Sequence, residues 1–177
     1  MSDPRNDAHS LTRIGAESAE SAFSLLLDRT IEMGEIVLRA ATSPMVPTAS
    51  EWDCGVIFEL EGELDAWVGL LFRTSQRDAL VERMLGAEAK SMGEMATESA
   101  LMEVANIVAS HVASGLADAL GDRLLPSVPM LAPTDAAAQL EILLRERARD
   151  FDRGECELLD EQSELGGLLV LATRSGP

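Results

Sequence analysis

Lysine is almost missing from this chain: Lys90 is the only one, beside thirteen arginines. Cysteine and histidine are nearly as scarce, with two residues each. Cys54 and Cys156 are too few for a disulfide framework, and neither belongs to a C-x-x-C pair. They read as small buried hydrophobes. His9 and His111 lie far apart with no clustered ligands, so no intrinsic metal site or other cofactor is expected. The apolar runs are too short to span a bilayer, which argues against membrane insertion. No charged start leads into an apolar stretch, so no secretory signal is read and a cytoplasmic protein is expected. A glycine-rich phosphate loop and a nucleophile elbow are both missing.

What the chain has in quantity is acid. Aspartate and glutamate number 31 and the net charge is −17. Nucleic acid is excluded as a partner because its phosphates would be repelled, and an anionic membrane surface is disfavoured for the same reason. An acidic surface nearly without lysine is the composition of a salt-in halophile, in which salt screens self-repulsion. An ordinary acidic protein from a GC-rich genome has the same look. A protein that stays folded and active at low salt would undermine the halophile reading.

With 177 residues, 46% of them apolar, the chain suits one domain or two small fused halves. Residues 1–9 read as a flexible N-terminal tail. A helix is expected over about 11–28, then a strand over 31–40 with Ile31, Met33, Ile36 and Leu38 as its apolar positions. Pro44 and Pro47 mark a loop. GVIFEL (55–60) reads as a strand, EGELD as an acidic turn, and AWVGLLF (66–72) as a central strand buried on both faces. A short helix over 75–85 is closed by Gly86. A long helix is expected over about 92–120, with Ser91 and Glu94 as a capping box and Gly121 as its stop. Residues 124–131 read as a proline-containing edge strand. A helix over 135–147 follows, capped by Thr134 or Asp135, and a hairpin of 155–159 with 167–172 ends the order of elements. That order nearly repeats. Residues 166–171 echo 66–71 at an offset of one hundred, and the long helices match best near ninety. The pattern predicts a single α/β domain over 10–177, built as a pseudo-twofold pair of degenerate repeats at about 10–90 and 91–173.

The densest chemical signal lies in ESALMEVANIVASHVASGLADALGDRLLPSVP (98–129). Ser99, Glu103 and Asn106 follow the spacing Ser-x3-Glu-x2-Asn, and Pro129 follows after twenty-two intervening residues. On a helix the first three fall within about 60° of arc. Ser110 extends the stripe, and Ala113 and Ala117 continue it with small side chains. Leu101, Val104, Val108, Val112 and Leu116 face the opposite way and require a core. His111 falls near the core boundary and reads as a packed histidine. A carboxylate and a carboxamide held side by side can clamp a partner and orient a water. A lone Glu–Asn pair on an exposed helix is ordinarily solvated surface, so the weight rests on the full four-point spacing.

That spacing resembles the signature of the CheC/CheX/FliY family of chemotaxis phosphatases, and the flanking WVGLLF, LVERMLG and PSVPML are similar to the family's as well. The resemblance implies long and shorter helices packed on a shared, mostly antiparallel sheet. It implies hydrolysis of the aspartyl phosphate of a CheY-type response regulator, with Glu103 and Asn106 catalytic and Ser99, Ser110 and Pro129 at the partner interface. The Mg²⁺ and a lysine would come with the phosphorylated regulator. CheD, a receptor deamidase, is implied as a further partner. Some relatives carry the signature in both halves. Here a shift of ninety residues sets His9, Arg13, Ala16 and Arg39 against the four positions, so the N-terminal half is expected to be silent. The same fold also serves in flagellar-switch components, so a non-catalytic binding module or an adaptor to the motor stays open beside the enzyme.

Overall fold

The computed structural model describes residues 7–40, 43 and 51–174. Four α-helices, α1 (Ala8–Leu27), α2 (Thr74–Leu85), α3 (Glu94–Leu120) and α4 (Ala136–Arg147), combine with seven strands: β1 (Ile31–Ala40), β2 (Cys54–Gly62), β3 (Ala66–Phe72), β4 (Leu124–Pro126), β5 (Met130–Ala132), β6 (Phe151–Asp160) and β7 (Gly166–Arg174). All the strands belong to one sheet in the order β1-β6-β7-β3-β2-β4, with β5 also on β2. Every pairing is antiparallel. The fold is thus the expected α/β class. The proline loop expected around Pro44 and Pro47 lies outside the described residues.

The strand order is a palindrome. Exchanging β1 with β4/β5, β2 with β6 and β3 with β7 reverses the list onto itself. The central pair is β3 with β7, where Gly69 faces Val170 and Leu70 faces Leu169. Each outer strand pairs with the opposite half: β1 with β6, and β4 and β5 with β2. This is the pseudo-twofold arrangement that the near-repeat in the sequence suggested.

Helices α1, α2 and α3 cover one face of the sheet, over a core that includes Phe23, Phe58, Phe72, Val108 and Leu116. Helix α4 covers part of the other face with Leu140 and Leu144 against Ile57, Leu71 and Val170. As expected, β3 is buried almost throughout. The core helices approach closely because small residues stand at the contacts. A Cβ built on Gly154 of β6 would fall 2.6 Å from the Thr12 Cβ of α1, and one on Gly115 of α3 would fall 2.0 Å from the Ser18 Oγ. By length and composition α3 could cross a membrane, a point the short apolar runs did not suggest; here ten of its residues form a buried face.

Several boundaries differ from the sequence reading, each for a local reason. Helix α1 starts at Ala8, inside the expected tail, because the Asp7 side chain accepts from the His9 amide at 3.1 Å and from the Ser10 hydroxyl. Residues 1–6 of that tail lie outside the described residues. The capping box at α3 does not form. Ser91 ends a 3₁₀ turn (Ala89–Ser91) and its hydroxyl donates to the Glu88 carbonyl at 2.7 Å; Gly93, at φ 84°, is the actual N-cap. The single edge strand over 124–131 is two short strands interrupted at 127–129. A bulge between Met33 and Ile36 puts three steps of β1 against two of β6, which returns Ile36 and Leu38 to the side of Ile31 and Met33.

On the α4 side the sheet carries a buried ionic group. Arg153 is 0% exposed; its Nε lies 2.9 Å from the Glu155 Oε1, and the Arg39 Nε lies 3.2 Å from the Glu155 Oε2. Burial pulls the Arg153 guanidinium below its ordinary value, and Glu155 opposes that shift.

Candidate functional site

Helix α3 runs 27 residues without interruption, about 40 Å, and ends at Gly121 in the left-handed region at φ 69°. Its buried face comprises Ala100, Leu101, Val104, Ala105, Val108, Ala109, Val112, Ala113, Leu116 and Leu120. The five apolar positions read from the spacing are all among them. Packing against α1 and the sheet therefore fixes the rotation of the rod, and the rotation fixes what faces water.

Ser99, Glu103, Asn106 and Ser110 are all exposed. No side-chain hydrogen bond or ion pair joins Glu103 or Asn106 to another described residue. The Ser110 hydroxyl turns back and donates to the Asn106 main-chain carbonyl at 2.8 Å, which leaves its lone pairs toward solvent. The helix thus presents one carboxylate and one carboxamide, less than a turn apart, backed by a rigid core. A carboxamide offers both an acceptor and a donor to a water, and the carboxylate offers a site for a cation.

The neighbouring assignments need revision. Pro129 is buried in the interruption between β4 and β5, so it shapes the chain there instead of meeting a partner directly. Next to it, Ser127 ties that segment to β2: its amide donates to the Glu59 carbonyl at 2.8 Å and its hydroxyl accepts from the Glu59 amide at 2.9 Å. Ala113 is buried and Ala117 half-buried, so the stripe closes toward the C-terminal half of α3. Ser114 is the last residue of the open stripe. His111 is exposed, not packed, although its angle of about 120° from Ser99 falls between those of buried Ala100 and Val104.

The sequence reading missed Met95. It precedes Ser99 by four residues, on the same side of the helix, and it is exposed. The i−4 spacing was available, but Met95 lies ahead of the 98–129 stretch that carries the four-point spacing. On α1 no equivalent pair exists. Where the two helices cross, Gly15 lies near Val112 and Ser18 stands against Gly115. Among the described residues, no three His, Cys, Asp or Glu side chains gather as metal ligands.

Residues 97–131 match the CheC-like family, a span that holds all four signature positions. No curated protein sequence is significantly similar to the chain. Solved structures are similar over nearly its whole length. A chemotaxis protein CheX from Desulfovibrio desulfuricans has a TM-score of 0.70 at 11% identity, covering 93% of this chain and 99% of that one. A chain of the CheX–CheY–BeF3–Mg²⁺ complex from Borrelia burgdorferi has a TM-score of 0.62 at 16% identity, covering 96% and 99%. FliY from Thermotoga maritima has a TM-score of 0.66 at 16% identity, covering 99% and 92%. At such identities the likeness is one of fold. The CheC-like match over the signature helix, joined to this shared fold, supports the CheC/CheX/FliY family for the chain.

Proposed function

We propose that the chain is a phosphatase of a CheY-type response regulator in chemotaxis signalling, and that Glu103 and Asn106 are its catalytic residues. The observation that carries this reading is their joint exposure, without side-chain partners among the described residues, on one face of an unbroken helix. The related CheX captured with CheY, BeF3 and Mg²⁺ supports the choice of partner.

Phosphoryl transfer asks the protein mainly for position and charge. The regulator brings the phosphoaspartate, its Mg²⁺ and a lysine. Glu103 pairs with that lysine and sets the register of docking. Asn106 enters beside the phosphoryl group and holds a water opposite the aspartyl oxygen. The water oxygen bonds to phosphorus as the phosphorus–oxygen bond to the aspartate breaks; the aspartate leaves as a carboxylate and inorganic phosphate departs with the water's proton redistributed to it or to solvent. A carboxamide suits this place because a carboxylate would repel the phosphoryl oxygens. Ser99 and Ser110 lie within the docking stripe, and CheD is a candidate modulator. The setting is the cytoplasm.

A second reading, an adaptor that holds the regulator without turnover, draws on the absence of a matching pair on α1. One assay separates them. Phosphate release from a phosphorylated CheY-type receiver domain should rise on adding the protein and should not rise with Asn106→Ala. Tight binding without faster release would favour the adaptor.

A further inference from the structure

Met95 is 85% exposed, the highest value for a large apolar side chain among the described residues, and Met92 just before it is 53% exposed. Single exposed apolar residues are common on protein surfaces. These two stand at the head of the stripe that holds the catalytic pair. Met95 lies about 40° around the helix from Ser99, about 12 Å along the axis from Glu103 and about 16 Å from Asn106.

The shape of the site decides where a docked protein sits. A standard interface takes about 800 Å² from each partner, a patch roughly 30 Å across. Toward the C-terminus of α3 the stripe closes at buried Ala113 and half-buried Ala117. A partner that reaches both Glu103 and Asn106 must therefore extend toward the N-terminal end, over Met95. The thioether chains there are unbranched and adaptable, which suits an apolar contact of irregular shape.

We propose that Met95, together with Met92, is the apolar anchor through which this protein selects its receiver domain. The inference rests on the function proposed above. The fitting partner is a receiver domain that carries an apolar patch 12 to 16 Å from its phosphoaspartate, a spacing of about eight to eleven helical residues.

The test compares wild type with Met92→Gln/Met95→Gln, Met95→Leu and, as a control, Ile142→Gln. Ile142 is also exposed, at 58%, but lies on α4 across the sheet. Two quantities are measured: the Kd for a CheY-type receiver domain loaded with BeF3⁻ and Mg²⁺, and kcat and KM for phosphate release. The double glutamine variant should raise Kd and KM about tenfold or more with kcat within twofold. Met95→Leu should bind like wild type, and so should the Ile142 control. Unchanged Kd in the double variant, a loss in kcat instead of KM, or an equal loss in the control would each overturn the anchor. A wild type that binds without releasing phosphate still tests it through Kd. A wild type that neither binds nor hydrolyses removes the functional assignment and the anchor together.

Discussion

Asn106→Ala separates function from folding in a way the structure makes quantitative. Asparagine is a poor helix residue, and alanine in a helix interior is better by about 0.5 kcal/mol. Asn106 is exposed, and no side-chain hydrogen bond to a described residue would be lost. The Ser110 hydroxyl bonds to the main-chain carbonyl of residue 106, which alanine keeps. The variant should therefore be slightly more stable, with Tm raised by about 1–2 °C at this chain length. Its phosphate-release rate should fall about 10²-fold or more, the usual loss when one positioned donor is removed from a reacting centre. That is a barrier increase of about 2.7 kcal/mol. Single-turnover phosphate release reads the rate, and thermal melting by circular dichroism reads the stability. A variant within threefold of the wild-type rate would refute the catalytic role. A variant destabilised by about 1 kcal/mol would refute the claim that the side chain has no structural duty.

Three further outcomes follow from the packing. Gly115→Ala gains helix propensity but brings a methyl to 2.0 Å from the Ser18 Oγ and 3.1 Å from the Ser18 Cβ; a net loss of about 1–2 kcal/mol in urea unfolding is expected, relieved by adding Ser18→Gly. Arg153→Ala leaves Glu155 buried with Arg39 alone and should cost about 3–5 kcal/mol by chemical denaturation, whereas Arg145→Ala, on exposed Arg145, should change stability little. Burial raises the thiols of Cys54 and Cys156 from 9.0 to about 11. Because the folded values lie above the unfolded ones, the contribution is complete below about pH 9 and fades as pH rises through about 11; alkaline titration of unfolding, compared with Cys54→Ala/Cys156→Ala, should show that decline, and thiol reagents should react slowly at pH 8.

Much of this architecture was legible because apolar spacing is written residue by residue. Strand β3 was read with its observed bounds, and helix α3 with its buried side, since Leu101, Val104, Val108, Val112 and Leu116 can face only one way. The exposure of Glu103 and Asn106 followed from the same geometry. What escaped depended on contacts distant in sequence. The burial of Ala113 depends on elements distant in sequence, and small residues give no sign of which neighbour covers them. The burial of Pro129 needs the segment around Ser127 tied to β2. The start of α1 at Ala8 turns on one carboxylate of Asp7. Met95 escaped because it stands before Glu98, outside the stretch that carries the four-point spacing.

The crossing-over of the outer strands has a consequence for how the protein can exist at all. Neither half owns a complete sheet: β6 is bordered by a strand from the first half, and β2 by strands from the second. Cut at Gly86–Gly93, the two fragments should each remain unstructured alone and regain the fold when mixed. The first half is then no relic that mutation is free to erode, because it is the second half's scaffold. Helix α3 keeps its place only while the first half goes on lending a border strand and a surface to lie on.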